Sequence, residues 1–230
     1  MLAIAGGKGG CGKTTTTLGV ASALARQRRS VLAADADREM PNLHAMAGVS
    51  RRPGLDAVAA GWPARAVAGR PSASGVSSGV RVLPAASGPT RGGPAEGTEG
   101  LALAGLRAAD AADAVLLDSP AGAGPDAVAP LRVADAAVVA TTAEPACLRD
   151  AAKTAAMARE LGTPVAGAVV SRAVGPECDG AEPNPPEGIA DLLDCPVLGV
   201  VPEVGSAPLA DDRVRAAHDR LVSALQPKYL

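Results

Sequence analysis

The chain contains no phenylalanine and only one tryptophan and one tyrosine in 230 residues. Stacking of bases on aromatic side chains, a common basis of single-strand nucleic-acid binding, is therefore not expected. The formal net charge is only −2, which argues against a strong general attraction to nucleic acid or anionic membrane and leaves only a local basic patch as an alternative. Because 47% of the residues are hydrophobic, a core can form, but it must be built from Ala, Val and Leu. Such a core suits a parallel sheet covered by closely packed helices.

Cysteine pairs and long apolar runs are also missing. The four cysteines, at positions 11, 147, 178 and 195, form no C-x-x-C pair, so neither a zinc site nor an iron–sulfur cluster is indicated. No uncharged apolar run is long enough to span a membrane. The N-terminus enters a predicted strand at once, with no room for a signal peptide. We therefore expect a cytoplasmic protein with reduced thiols.

A glycine-rich segment, GGKGGCGKTTTT at residues 6–17, follows the first apolar run of the chain. Gly7, Gly12, Lys13 and Thr14 fit the phosphate-binding loop pattern G-x-x-x-x-G-K-[ST], with a predicted strand before it and a helix after it. Glycines let the backbone curl so that several N–H groups face one anion, and the helix N-terminus adds its positive dipole end. We expect Lys13 to reach the β- and γ-phosphates of a nucleotide and Thr14 to offer its hydroxyl to Mg²⁺.

Predicted strands and helices alternate along the chain. Strands are predicted at residues 2–5, 31–34, 80–83, 114–117, 136–141, 165–170 and 197–201. Helices are predicted at 14–29, in pieces over 41–61, and at 101–109, 146–161, 188–194 and 210–225, with loops at 70–79, 88–100 and 178–186. The alternation indicates an α/β fold of the P-loop NTPase class, a mostly parallel twisted sheet with helices on both faces. We expect one domain over residues 1–226 and a short tail at 227–230.

Aspartates end two of the predicted strands, where ligands of such sheets bind. Asp118 closes the run AVLLD, and Asp35 and Asp37 form D-A-D after the second strand. Phosphoryl transfer mainly needs an aligned water and neutralised charge, so one carboxylate beside a metal and one beside the water would suffice. Strand-end carboxylates are also common without any such role. The alternative for Asp37 is a helix N-cap or a turn residue.

Lys8 is a second lysine inside the loop, although the chain has only four, at positions 8, 13, 153 and 228. A compact ammonium suits a crowded phosphate site better than a planar guanidinium group does. The stretch KGGCGKTT, residues 8–15, resembles the deviant Walker A motif of the ParA/MinD family of ATPases. In that family the first lysine crosses a dimer interface and touches the nucleotide of the partner. The alternative is a solvated loop lysine.

The resemblance extends over nearly the whole chain. DADREMPNL and DSPAG, at residues 35–43 and 118–122, resemble the two switches of the family. GAVVSR and PVLGVVPE, at residues 167–172 and 196–203, resemble the strands that border the adenine. DSPAG and the VLP segment at residues 82–84 are more similar to MinD than to plasmid ParA.

The resemblance implies a site for ATP or ADP with Mg²⁺. It implies catalytic roles for Lys8, Lys13 and Asp37, metal-binding roles for Thr14, Asp35 and Asp118, and a switch role for Asn42. The residues that it places at the nucleotide are Gly7, Lys8, Gly9, Gly10, Cys11, Gly12, Lys13, Thr14, Thr15, Gly122, Ser171, Arg172, Pro202 and Glu203.

Two residues depart from the family pattern. Ser171 stands where the family usually has Asn, and a hydroxyl offers a purine edge less than a carboxamide does. We still expect ATP to be preferred, through backbone contacts near Pro202 and Glu203. Cys11 stands where the family commonly has Val, either as a small apolar filler or as a reactive thiol at a helix N-terminus. The isolated His218 is expected to be a surface or packing residue.

The first functional hypothesis is an ATPase switch that dimerises with Mg²⁺-ATP and hydrolyses it slowly to ADP and phosphate. It would position a cargo such as a division septum, a chromosome region or a surface structure, and an unidentified protein or the cargo would activate it. Two alternatives stay open. One is a metabolic or assembly enzyme on the same fold, such as an iron–sulfur carrier or an amide-forming ligase. The other is a nucleotide-binding module without hydrolysis.

The last predicted helix, 210–225, carries apolar residues at helical spacing with arginines nearby. A membrane-binding helix normally also exposes bulky apolar groups, and little beyond Tyr229 and Leu230 follows to supply them. We therefore expect no direct membrane binding.

Overall fold

The computed structural model describes residues 1–86, 98–108, 112–122, 124–174, 185 and 187–229. A seven-stranded sheet forms the centre of this part of the chain. Its strands are β1 (Leu2–Gly6), β2 (Val31–Asp35), β3 (Val80–Leu83), β4 (Ala114–Ala121), β5 (Ala136–Thr141), β6 (Val165–Ala173) and β7 (Val197–Pro202). Neighbouring strands pair in parallel, which confirms the predicted α/β fold.

The strand order is β3-β2-β4-β1-β5-β6-β7, so β1 lies between β4 and β5. The chain first builds the sheet on one side of β1 and then, after β4, on the other side. Such a reversal opens a crevice at the carboxyl ends of the central strands, where ligands of open α/β sheets bind. The glycine-rich loop leaves β1 at this edge. Asp35 and Asp118 lie opposite each other in the register of β2 and β4.

Helices connect the strands and cover both faces of the sheet. They are α1 (Lys13–Arg26), α2 (Leu43–Ala47), α3 (Leu55–Ala59), α4 (Ala64–Val67), α5 (Thr98–Ala108), α6 (Pro125–Val133), α7 (Pro145–Glu160), α8 (Ile189–Leu193) and α9 (Asp212–Tyr229). A 3-10 turn, Pro208–Ala210, precedes α9. Among the helices of the described ranges, none is long and apolar enough to cross a membrane.

Alternate residues of each strand divide the core between the two faces. Leu2 and Ile4 of β1 pack in one large cluster with α1, α2 and α9. Ala3 and Ala5 pack on the opposite face, in a cluster with residues of α6 and α7. Both faces of a central parallel strand are thus buried, which explains why these strands are continuous apolar runs.

Several predicted boundaries are wrong for local reasons. Helix α1 ends at Arg26 instead of Arg29, because Arg28 adopts a left-handed conformation with φ 64°. Strand β4 runs on to Ala121, because its ladder with β1 continues as far as Gly6. Helix α6 was not predicted, and Pro130 lies inside it, a residue that local sequence rules place outside helix interiors. Pro125 begins the helix, in the first turn, where the backbone N–H has no partner within the helix and its loss costs nothing.

The ends of α5 and α9 also differ from the predictions. Helix α5 begins at Thr98, so residues 98–100 are helical and not part of a loop. Helix α9 begins at Asp212 because the carboxylate of Asp211 accepts the N–H groups of Arg213 and Val214, at 2.8 and 3.4 Å. It continues to Tyr229, beyond the predicted end at Leu225.

Some predictions fall outside the described residues. They concern the loop over residues 88–97, Cys178 and, apart from residue 185, the loop at 178–186. The division into a domain at 1–226 and a tail stays a prediction, although residues 227–229 continue α9.

Candidate functional site

The loop between β1 and α1 has a shape that depends on its glycines. Gly10 and Gly12 have φ angles of 80° and 85°, a region that glycine enters without steric cost. A Cβ on Gly7 would lie 2.4 Å from the carbonyl oxygen of Asp150, so the loop rests on the backbone of α7. Helix α1 then starts at Lys13 without a hydrogen bond from a side-chain cap. Its first N–H groups are therefore left for an anion.

Two side chains of this loop donate to one carbonyl oxygen. The ammonium of Lys13 lies 3.1 Å from the carbonyl oxygen of Lys8, and the thiol of Cys11 lies 2.9 Å from the same oxygen. Lys13 and Cys11 are buried, whereas Lys8 is exposed. The two lysine side chains therefore have different surroundings: that of Lys13 is buried against the loop, and that of Lys8 lies at the surface.

Asp118 is buried on β4, next to helix α1. The hydroxyl of Thr17 donates to its carboxylate at 3.2 Å. Burial raises the pKa of Asp118 to about 7, and the charge of Asp35 acts in the same direction. A hydrogen bond from Thr14 and the charge of Lys13 lower this pKa. A buried carboxylate whose charge is disfavoured in this way is stabilised by a bound cation.

Asp35, the last residue of β2, is fully buried and accepts three backbone hydrogen bonds. The donors are the N–H groups of Asp37 (3.0 Å), Asn42 (3.2 Å) and Leu43 (3.1 Å). Burial raises the pKa of Asp35 to about 6, although these three bonds oppose the shift. Asp37 is half-buried, and its carboxylate accepts the N–H of Met40 at 2.8 Å. Asp37 thus has the turn contact that was the alternative to a catalytic role.

The predicted base-binding residues lie on a rim formed by the ends of β6 and β7. The register of the two strands shifts between Val170 and Ala173, and Arg172 has a φ of 54°. Ser171 is buried, and its hydroxyl lies 2.5 Å from the position that a Cβ on Gly12 would occupy. Arg172 is exposed. Ser171 therefore contacts the phosphate loop itself.

Strand β7 completes this rim. Pro202 pairs with Ala173, and the N–H of Glu203 donates to the carbonyl oxygen of Ala173 at 3.0 Å. Glu203 is exposed. A base bound here would therefore meet the ends of two strands that hydrogen bonds hold together.

The remaining predicted residues lie on segments that leave the same edge of the sheet. Gly122 follows β4 with a φ of 93°, and Asn42 precedes α2 without a hydrogen bond from its side chain to that helix. Gly9 is exposed and Thr15 is half-buried. The structure thus brings the loop, Thr14, Asp35 and Asp118 together; the nucleotide contacts themselves stay predictions.

The chemistry of this edge fits Mg²⁺. The hydroxyl of Thr14 and the carboxylate of Asp118 are hard oxygen donors, the type that Mg²⁺ prefers. Within the described ranges, three or more His, Cys, Asp or Glu side chains nowhere gather closely enough to hold a metal ion alone. Magnesium in phosphate sites is commonly held by one or two carboxylates together with water and substrate phosphates. The residues present therefore fit such an ion.

Two residues of the site were missed by the sequence predictions. Thr17 donates to Asp118, and its position three residues after Thr14, on the same helix face, was an available signal. A Cβ on Gly6 would lie 2.6 Å from the carbonyl oxygen of Ala140 and 2.9 Å from Sγ of Cys11. No local signal marks Gly6, because its close contact depends on the pairing of β1 with β5.

Comparison with known proteins gives a family and a set of similar folds. Residues 2–214 match the family of the CobQ/CobB/MinD/ParA nucleotide binding domain. An uncharacterized ATP-binding protein of Methanocaldococcus jannaschii is 34% identical over 218 residues, which cover 88% of this chain and 74% of that protein.

Two solved structures have similar folds. The septum site-determining protein MinD of Pyrococcus horikoshii, complexed with Mg-ADP, has a TM-score of 0.77 at 25% identity; the match covers 98% of this chain and 95% of that one. The cobyrinic acid a,c-diamide synthase of Mycobacterium smegmatis, with a bound ATP analog and magnesium, has a TM-score of 0.75 at 22% identity, over 100% and 97% of the two chains. At this identity the second likeness shows the fold alone.

Proposed function

The chain belongs to the CobQ/CobB/MinD/ParA family of nucleotide-binding domains, and on this premise we propose that it is a Mg²⁺-ATP-dependent ATPase switch that dimerises when ATP is bound. The observation that carries the proposal is the difference in exposure between the two loop lysines. Lys13 is buried within its own loop, whereas Lys8 is exposed. An exposed ammonium at this position suits contact with a nucleotide held by a second copy of the chain.

Each side chain has a role that follows from its surroundings. Lys13 would neutralise charge on the β- and γ-phosphates, and the N–H groups at the start of α1 would bind their oxygens. Thr14 and Asp118 would hold Mg²⁺, which when bound neutralises charge that develops on the transferred phosphoryl group. Asp37 would orient the attacking water after its carboxylate leaves the N–H of Met40. The products would be ADP and phosphate.

Dimerisation follows if ATP binds the dimer more tightly than the monomer, since a ligand shifts an equilibrium only by its differential affinity. Lys8 from the partner would supply that difference, because it meets the γ-phosphate only across the interface. Loss of the phosphate would then release both switch segments. The cargo would be a cellular structure that must be positioned, as the similarity to a septum site-determining protein suggests.

The described residues favour neither enzymatic alternative. Cys11, Cys147 and Cys195 are all buried and free, whereas an iron–sulfur carrier needs paired cysteines at its dimer axis. The likeness to an amide-forming synthase is one of fold alone. A module that binds nucleotide without hydrolysis would show normal ATP affinity and no detectable turnover.

Measuring the mass of the protein in solution tests the proposal. With Mg²⁺ and a slowly hydrolysed ATP analogue the mass should double, and with ADP it should stay that of a monomer. Lys8→Ala should keep nucleotide binding and lose the doubling. Lys153→Ala is the matched control, because Lys153 is an exposed lysine whose ion pair with Asp150 lies outside the loop. A Lys8→Ala protein that still dimerises would contradict the proposal.

A further inference from the structure

The segment between β2 and α2, residues 36–42, is closed by a single buried side chain. The carboxylate of Asp35 accepts the N–H of Asp37 near the start of this segment. It also accepts the N–H groups of Asn42 and Leu43 at the end of the segment. One fully buried side chain therefore ties both ends together.

The hydrogen bonds at the end of the segment replace a missing helix cap. Helix α2 begins at Leu43, and the side chain of Asn42 makes no capping bond. The first N–H groups of a helix have no partner within the helix and need one from outside. Asp35 supplies it from the neighbouring strand. A second hydrogen bond lies within the segment that Asp35 closes: the carboxylate of Asp37 accepts the N–H of Met40.

These contacts leave Asp35 little capacity for other partners. An ionised carboxylate offers about four lone-pair directions, and three hydrogen bonds already reach Asp35. Asp118 differs: its described hydrogen bonds come from side chains of α1. Two carboxylates that face each other on adjacent strands thus have different partners, backbone N–H groups for one and hydroxyl groups for the other.

From this difference we infer that Asp35 is a positioning residue: its carboxylate holds the segment 36–42 in place so that Asp37 and Asn42 face the nucleotide, and Asp118 is the metal-binding carboxylate of the pair. The role of Asp37 rests on the proposed ATPase function, whereas the anchoring of the segment does not. Asp35 acts on the reaction through Asp37, not by contact with phosphate or metal.

Hydrogen exchange of backbone amides, followed by NMR without nucleotide or metal, tests the anchoring directly. In Asp35→Ala the amides of Asp37, Asn42 and Leu43 should exchange at least about tenfold faster, the effect of losing one hydrogen bond of ordinary strength. Asp35→Asn keeps one accepting oxygen, so it should protect some of these amides and not others. If Asp35→Ala does not fold, the Asn variant alone decides.

Asp37→Ala is the matched control within the same segment. It removes only the acceptor of the Met40 amide, so Met40 should exchange faster while Asn42 and Leu43 keep their protection. Unchanged exchange at Asp37, Asn42 and Leu43 in both Asp35 variants would overturn the inference. This result is independent of whether the protein hydrolyses ATP.

Magnesium dependence of the ATPase separates positioning from metal binding. Asp35→Asn should lower kcat at least about tenfold, since it loses part of the hold on Asp37, and should leave KM for ATP and the half-saturating Mg²⁺ concentration within about threefold of wild type. Asp118→Asn should raise that Mg²⁺ concentration. An equal rise in Asp35→Asn would assign Asp35 to the metal and overturn the inference.

Discussion

The first turn of helix α1 and the middle of the same helix, at Gly19, are packed in opposite ways. At its first residue, Lys13, the helix has no side-chain cap and no acidic residue in the first turn, and the buried hydroxyl of Thr16 has no partner in the described part of the chain. Further along, Gly19 packs against the ring of His218 on α9, where a Cβ would lie 2.5 Å from three ring atoms. The first turn is left uncapped, whereas the middle of the helix packs closely against α9.

This difference separates residues that serve a ligand from residues that serve the fold. An uncapped helix start costs stability unless something binds there. Close packing of a helix against its neighbour contributes stability without any ligand. Substitutions in the first turn should therefore change nucleotide affinity, and substitutions at the contact in the middle of the helix should change the free energy of unfolding.

Gly12→Ala should have the largest effect. Alanine at φ 85° costs about 1–2 kcal/mol, and its Cβ would meet the hydroxyl of Ser171. The displaced loop would also lose charge-assisted hydrogen bonds to phosphate, each about 1.5–3 kcal/mol. We expect ATP affinity, measured by titration calorimetry, to fall about a thousandfold. Gly9→Ala is the control, because a Cβ there has nothing within 4 Å and should cost less than about tenfold.

Acid should act on His218, the α9 residue that packs against the middle of α1. Burial lowers the pKa of His218 to about 4, against its ordinary 6.5, while its bond to the carbonyl of Val214 opposes the shift. The unfolded chain therefore binds a proton at this residue between pH 6.5 and 4, and the folded chain does not. Stability should fall as the pH drops through this window, by up to about 3 kcal/mol.

Asp35 and Asp118 act in the opposite direction, because their raised pKa values make the folded state bind protons below pH 7. The contribution of His218 is therefore measured as a difference. Denaturant unfolding of wild type and of His218→Gln should diverge from pH 6.5 downward, with wild type losing more stability. Parallel curves would show that His218 titrates normally or is accessible to water.

Gly19→Ala should have the next largest effect. The added methyl would overlap the ring of His218, and overpacking of this kind costs about 1–3 kcal/mol. Gly105→Ala is a matched control in helix α5, where a Cβ has nothing within 4 Å. It should instead stabilise by about 0.5–1 kcal/mol through helix propensity. Urea unfolding measures both, and equal shifts in the same direction would contradict the packing argument.

The first turn and the middle of α1 also differ in how far the sequence predicts them. The phosphate loop is a local pattern of glycines, a lysine and threonines, so its position, its strand and its helix could all be predicted. The contact between Gly19 and His218 joins residues of different helices far apart in the chain. No periodicity shows which glycine a buried ring will meet, and His218 was expected only to be a surface or packing residue.

The acidic residues lie between these cases. Asp35 and Asp118 were predicted at strand ends because apolar runs precede them. Their different hydrogen-bond partners depend on the adjacency of β2 and β4 and on the return of residues 42 and 43 to Asp35. Helix α6 contains Pro130, although proline is disfavoured inside helices, so the local sequence does not indicate this helix. Functional residues that are adjacent in sequence can be predicted, whereas contacts between distant segments depend on the order of the strands in the sheet.

Cys11→Val should have the smallest effect, although the residue lies in the loop. Its thiol donates to the carbonyl oxygen of Lys8, which Lys13 also reaches, so the oxygen keeps a strong partner when the thiol is lost. Thiol hydrogen bonds are weak, and valine preserves the apolar volume. We expect ATP affinity to change by no more than about fivefold, or about 1 kcal/mol. Cys147→Val, a buried cysteine of α7 outside the loop, is the control. A large loss of affinity confined to Cys11→Val would mean that the thiol orients the carbonyl that Lys13 depends on.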